Sequence, residues 1–529
     1  MNGELPGGWA WARMLDILDY EGGSQPPKKE FIYEPRKGYV RLLQIRDFGD
    51  KPFPTYVPDS KRLKKATRED LLLARYGGSS ANDSLGRICT GLDGAYNVAL
   101  AKLILSHEIV EKDYVRYLFL GPWFREKVSQ NSRSCQTGFN REDVQDIEFP
   151  IAPLTEQHRI VAKLEEVLSR MTACQQRLAR VPALLKRFRQ SVLDAACSGR
   201  LTMDWRELHT NIESTDNLIT RVRAIRRAEW EAIELAKTRR LNGGTPKDRT
   251  WKDKYVEPPD PDPSVENAPE LPDTWSFTGI DVLLSTIRRG MKTGPFGSSL
   301  KKAEHQASGI PVLGIENIGE MTFKGGTKIH VSKAKAIELA EFDALPGDIL
   351  ISRSGTVGEV CVVPEGLGEA RISTNIMRVT LRDDGMLPTY FSYLFNGSAF
   401  VLHQVERLCG GSTRDFLNQE ILRSIVFPLP PLKEQAEIVR RVEKLFVLAD
   451  QIEMRFAEAK KRVDSITQSI LAKAFSGELV PTEHELAKAE GRSFESAEEM
   501  LKRIKGDGQG KTGGKGRAVR RSKHSVAVP

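Results

Sequence analysis

The sequence predicts an α/β protein with a pseudo-two-fold internal repeat, in which two mixed α/β globular halves are separated by two long helices forming an antiparallel coiled coil. Three observations predict it. Phe149 to Thr202 returns as Phe427 to Val480 at a constant offset of 278 residues, with no gap. Within each copy, apolar residues recur at alternating steps of four and three over about five heptads, which calls for a second helix along the same seam. The flanks repeat too: Leu5-Pro6 and Trp9 return as Leu271-Pro272 and Trp275, and Asp70 to Arg75 returns as Asp348 to Arg353. A repeat of this size dictates the architecture before any local reading does.

Residues 1–150 are the first globular half and 271–427 the second. Their apolar runs, such as Ile349 to Ser352, Glu359 to Val363 and Ile376 to Leu381, are short, β-branched and punctuated by Gly, Pro, Asn and Asp, which reads as strands joined by loops. Helical patches such as Tyr390 to Arg407 make each half mixed α/β. Residues 151–202 and 428–480 are the long helices, entered through prolines before Thr155 and Lys433 and stopped at Gly199 and Gly477. The first seam is Ile160, Leu164, Val167, Met171, Cys174, Leu178, Val181, Leu185, Phe188 and Val192. The second is Ile438, Val442, Leu445, Ala449, Ile452, Phe456, Ala459, Val463, Ile466 and Ile470. Pro182 lacks an amide hydrogen and clashes with the preceding turn, so a break is expected near residues 180–183 in copy one alone. At 1.5 Å per residue, about 43 helical residues span roughly 65 Å, the length of a spacer.

Between the first helix and the second half, residues 203–270 open as a charged helical stretch with Trp230 among few aromatics. They close in the proline-rich run Leu241 to Asp273, a stiff linker. In the last segment, 481–529, SAEEMLKRIK (496–505) echoes STDNLITRVR (214–223), so a helix is expected there. Residues 506–529 are Gly-rich and basic and read as a disordered tail.

A chain of 529 residues with 40% hydrophobic content suggests three or four units with real cores. The formal net charge of +8 is concentrated at one end. From Lys505 onward there are seven Lys and Arg against one Asp, which leaves +2 for residues 1–504, so any nucleic-acid surface has to be local. The six cysteines show no CxxC spacing and fit free thiols in a reducing compartment better than a disulfide frame or a zinc site. The N-terminus lacks the pattern of a signal peptide, and no run of about 18 apolar residues occurs. A soluble, cytoplasmic protein is expected, with no membrane partner.

Reaction chemistry is not visible. GDGQGKT (506–512) falls short of a phosphate-binding loop, because Lys505 stands where the pattern needs glycine and no strand precedes it. There is no GxGxxG after a strand, no HExxH, and no Asn/Asp-Pro-Pro-aromatic tetrad of the kind that grips an extruded adenine. No catalytic residue, cofactor site or metal site is therefore expected in this chain. The polar, Gly-rich loops offer binding instead: SSANDSLGR (79–87), RSCQTGFN (133–140), RRGMKTGPFGSSLKK (288–302), RSGTVGE (353–359) and GGSTRDFLN (410–418). Arg, Lys, Ser, Thr, Asn and Gln are the side chains that bond phosphates and base edges.

At the repeated PxxPLxEQxxIV opening, the heptad helix and the SGxL ending, the sequence resembles the specificity subunit of type I restriction-modification systems, from Leu5 to about Lys505. ILISRSGTVGEV (349–360) and TGPFGSSLK (293–301) resemble segments of that family's target-recognition domains. The resemblance implies that residues 1–150 and 271–427 each read one half of a bipartite site on double-stranded DNA, and that the helices set the spacing between the halves. It also implies docking of two methyltransferase subunits, which carry S-adenosylmethionine, joined by two restriction subunits that use ATP and Mg. The side chains assigned to DNA contact are Arg87, Arg133 and Gln136 in the first half. In the second they are Lys292, Ser298, Ser299, Arg353, Thr356, Thr413 and Arg414. The rival reading is a helical scaffold presenting two protein-binding domains that never touch nucleic acid.

Overall fold

A computed structural model describes residues 4–49, 51–76, 85–121, 124, 139, 141–242, 248–262, 265–296, 299–409 and 416–510. The chain divides into two compact units, residues 1–179 with 457–529, and residues 180–456. Compactness thus groups the chain differently from its linear order: each unit takes one globular half with parts of both long helices.

The pairing inside each unit shows why. In the first unit Gln175 reaches Asp464 at 3.3 Å and Arg159 reaches Glu483 at 2.7 Å. In the second, Arg189 reaches Asp450 at 2.7 Å and Glu453 at 2.9 Å, and Arg441 reaches Asp204 at 2.6 Å. In both units one residue number falls as its partner's rises, so the helices run antiparallel. The first helix is interrupted, Leu154–Leu178 then Val181–Cys197, with Pro182 in the first turn of the second piece; its counterpart runs unbroken over Leu432–Phe475. Both copies stop at a left-handed glycine, Gly199 (φ 75°) and Gly477 (φ 79°). A Cβ there would lie 2.6 Å from Pro272 and 2.3 Å from Pro6 respectively, so the stop needs glycine twice over.

Along the seam Ile160, Leu164, Leu185, Ile438, Val442, Ala449 and Val463 are buried, and Val167, Met171, Leu178, Leu445 and Phe456 are half-buried. Ile452 corrects the sequence reading. It is 40% exposed, and Cys174, Phe188 and Ile466 are exposed as well. Ile160 and Leu164 join the first unit's core, and Val192, Ile438 and Val442 the second's. Where the globular half supplies a third layer the seam is sealed; two helices alone leave it half open.

Among the described residues, each globular half is built from the same three sheets. In the first unit one antiparallel sheet has the order Leu18–Gly22, Leu100–Leu105, Leu72–Ala74, Ile88–Cys89. In the second it is Met291–Thr293, Ile376–Val379, Ile349–Ser352, Val360–Val362. A second four-stranded sheet places Tyr39–Leu43 parallel to Gly94–Tyr96, and in the other unit Ile310–Leu313 parallel to Ala370–Ile372. A two-stranded ribbon closes each half, Ala10–Arg13 with Glu148–Ile151 and Ser276–Gly279 with Val426–Leu429. The segment echo also holds: helices begin at Thr215 and Ala497, anchored by Thr215 N–H to the Thr274 carbonyl and Ala497 N–H to the Gly8 carbonyl. The latter helix runs to Gly510, past the predicted start of the tail, and residues 511–529 lie outside the described residues.

A buried Glu-Gln pair fastens each half to its long helix. Trp9 Nε1 donates to Glu156 at 2.9 Å and Trp275 Nε1 to Glu434 at 2.9 Å. Gln157 donates to the carbonyls of Ile109 (2.7 Å) and Ala152 (2.9 Å) and accepts from Glu111 N–H; Gln435 donates to those of Gly385 (3.2 Å) and Pro430 (2.9 Å) and accepts from Leu387 N–H. Tyr114 and Tyr390 donate their hydroxyls to the carbonyls of Pro150 and Pro428. The copies differ in one respect. Glu434 also takes Thr202 (2.6 Å) and Arg206 (2.5 Å), whereas Glu156 takes the Glu483 amide (2.7 Å), and burial pushes its carboxyl above the ordinary range.

Among the described residues no helix is long and apolar enough to cross a membrane, and no group of three or more His, Cys, Asp or Glu is placed to hold a metal ion. Burial pushes the Cys89 thiol up to about 11 and the Cys361 thiol up to about 12, which keeps both protonated and unreactive near neutral pH.

Candidate nucleic-acid interface

In both halves the loop leaving the central strand of the second sheet is rooted by a buried Asx side chain. Asp47 accepts the Gln44 amide at 2.8 Å and pairs with Arg41 at 3.0 Å. Asn317 accepts the Gly314 amide at 2.8 Å and donates to the carbonyls of Lys324 (2.8 Å) and Gly326 (2.9 Å). The root is common. The tips are not.

In the first unit the tip region holds Tyr33 and Phe53, 59% and 50% exposed, with ring centroids 5.2 Å apart. Exposed Lys28, Lys29, Arg36, Lys37 and Lys51 flank them, and Arg46 lies over the Phe53 ring. Residues 28–65 carry eleven Lys and Arg against five Asp and Glu, which makes this the local basic surface that the whole-chain charge concealed. In the second unit the corresponding loop exposes Lys324 and Lys328, and Lys301 and Lys302 are exposed as well. Cations placed this way bond phosphates, and open aromatic faces stack on bases.

The predicted contacts are only partly available. Ser299 and Thr356 are exposed, the Thr356 hydroxyl bonding Ser352 at 3.2 Å. Arg87 is half-buried, with its guanidinium donating to the Phe48 carbonyl. Arg133, Gln136, Ser298, Thr413 and Arg414 lie outside the described residues.

Two assignments are corrected. Lys292 is 9% exposed, paired with Glu341 and lying 4.6 Å from the Phe342 ring centroid, so its charge is satisfied inside the fold. Arg353 is 4% exposed. It donates to the carbonyls of Leu417 (3.3 Å) and Thr374 (3.2 Å) and lies over the Phe416 and Phe296 rings; burial pulls its pKa below the ordinary value. Leu417 N–H returns a bond to the Arg353 carbonyl. Its first-half counterpart Arg75 does the same with Phe139, in both directions. These arginines hold a loop against a strand end, which is a positioning role. The missed surface, Tyr33 to Phe53, carried a readable signal: aromatics between prolines in a lysine-rich run are poor core material.

Residues 296–456, wholly within the second unit, match the type I restriction modification DNA specificity domain family. The chain is 27% identical over 498 residues to the type I restriction enzyme StySPI specificity subunit of Salmonella potsdam, and 26% over 499 residues to the EcoKI specificity subunit of Escherichia coli strain K12. Each alignment covers 90% of both chains. Among solved structures, a chain of a type I R-M system covers 90% of this chain and 100% of its own length with a TM-score of 0.60 at 18% identity. The HsdS subunit from Thermoanaerobacter tengcongensis covers 90% and 99% with a TM-score of 0.50 at 17% identity. These last two likenesses concern the fold.

Proposed function

We propose, from the premise that this chain is a relative of the type I restriction specificity subunits, that it is the DNA-reading subunit of a type I restriction-modification complex and leaves the chemistry to its partners. One observation carries the reading: a duplicated framework with one common root, Asp47 or Asn317, bearing unlike tips, aromatic and lysine-rich in one half and glycine- and lysine-rich in the other. Two copies of a scaffold with different tips suit two different DNA words, since phosphate contacts position a reader and base-edge contacts specify the word. The long helices set the distance between the words. They also dock two methyltransferase subunits, which bring S-adenosylmethionine, and two restriction subunits, which bring ATP and Mg, complete the assembly. Leu184, Val447, Leu448 and Met454, between 48% and 66% exposed on those helices, support such docking, because apolar residues on a long helix face favour a helical partner.

Mobility shift of genomic duplexes by the chain with its adenine methyltransferase subunit tests this. A subset of duplexes should be retained with an affinity roughly a thousandfold or more above the rest at physiological salt. Uniform retention, or none, would favour the protein-binding scaffold.

A further inference from the structure

We propose that the charged segment between the first long helix and the second globular half carries a cationic arm whose Arg239, Arg240, Arg249 and Lys254 bind duplex phosphates without regard to sequence. The proposal rests on the reading that the chain binds DNA, and it assigns part of that binding to a surface outside both sets of loops.

The arm is built in three stages. Its base is fixed. The helix Thr215–Asn242, about 42 Å long at 1.5 Å per residue, buries Leu218 and Val222 in the second unit's core, and Thr215 donates its hydroxyl to the Leu429 carbonyl at 2.7 Å. The charges of this stage are all partnered: Arg221 with Glu213, Arg223 with Glu257 and Asp260, Arg226 with the Leu284 carbonyl, Glu229 with Arg382. Its middle is zipped. The returning chain lays Trp251 on Trp230, centroids 5.9 Å apart at 25°, with Tyr255 5.4 Å from Trp230, and Lys252 pairs with Glu231.

Beyond the zip the pattern changes. Arg239, Arg240 and Arg249 there are exposed, as is Lys254 within the zip, and among the described residues none of the four has a carboxylate partner. These donors spread along roughly 15 Å of arm, a distance over which a duplex presents several phosphates. The choice of DNA over an acidic protein follows from what is missing. Protein interfaces are built around an apolar or aromatic core and are depleted in lysine, whereas the described residues from 236 to 240 and 248 to 250 are Ala, Lys, Thr, Arg and Asp alone. A solvated charge run would not need a base locked into a core and a stack of three aromatic rings to hold it in place.

The test uses the full chain assembled with its methyltransferase subunit and a 40-base-pair duplex of random sequence, with binding followed by fluorescence anisotropy from 50 to 200 mM salt. The variant carries Arg239→Gln, Arg240→Gln, Arg249→Gln and Lys254→Gln, all exposed, with its thermal melt recorded beside the native chain. The slope of log K against log salt should fall by roughly 3 to 4, at about 0.9 per lost phosphate contact. The loss should be equal on duplexes of unrelated sequence, with an unchanged melt. A native chain that binds while the variant keeps its slope overturns the arm alone. A loss confined to one sequence overturns it in favour of base reading, and unchanged DNA binding with loss of a protein partner overturns it in favour of a protein interface. A native assembly that binds no duplex overturns the arm together with the DNA-reading function.

Discussion

Removing one heptad from each long helix, residues 173–179 from the first and 460–466 from the second, is expected to shorten the unread gap between the two half-sites by about three base pairs. Seven helical residues rise about 10 Å, and a base pair advances about 3.4 Å. Both excisions are needed because the helices are antiparallel: Gln175 faces Asp464 and Arg189 faces Asp450, so a matched pair of deletions keeps every remaining partner in register. A deletion from one helix alone would slip the seam and appear as lost stability. A three-base-pair step also turns one half-site by roughly a third of a helical turn, so methylation at the new spacing should be slower, in proportion to the DNA deformation needed. Methylated sites mapped in the double-deletion strain give the answer; an unaltered gap would mean the helices do not measure distance.

Glu434→Ala should be the most damaging single substitution in the fastening of a globular half to its helix. Its carboxylate is fully buried and takes Trp275, Thr202 and Arg206 at 2.9, 2.6 and 2.5 Å. Truncation strands an indole N–H and removes the counter-charge of a largely enclosed guanidinium, which keeps only the Gly199 carbonyl and the Thr202 hydroxyl, and for a broken pair of this kind a loss of about 3 to 5 kcal/mol is typical. In a unit of this size the melting temperature should fall on the order of 10 °C. Glu156→Ala is the internal control. It strands only the Trp9 indole and the Glu483 amide, and its burial already disfavours the charged form, so the loss should be nearer 1 to 3 kcal/mol. Calorimetric melts of both variants check the order. Equal losses, or a larger one at Glu156, would mean that Arg206 adds nothing to the joint.

How much of this was legible depends on how local each signal is. The duplication, the heptads and the break at Pro182 are written in spacing and in one covalent ring, and the structure follows them. Burial is not local. The sequence marks Glu156-Gln157 and Glu434-Gln435 only as residues that repeat, and only the folded chain shows an indole with four backbone groups converging on the first pair and an indole with three on the second. Charge and loop position predict DNA contact for Arg353 and Lys292, and the fold satisfies both inside. Ile452 failed for the opposite reason: a heptad predicts a facing helix but not the third layer that seals it. Tyr33 and Phe53 lie outside the glycine-rich loops, and the basic run around them is the sequence signal that marks them.

The central claim is that one framework, used twice, reads two separate words at a fixed distance. Single-molecule sequencing of methylated adenines in cells carrying this chain with its methyltransferase partner tests it most directly. The account predicts one bipartite, asymmetric word whose two parts are separated by a constant unread gap no wider than the roughly 65 Å that 43 helical residues can span. A continuous word, a variable gap, or a methylation pattern unchanged when this chain is deleted would contradict it.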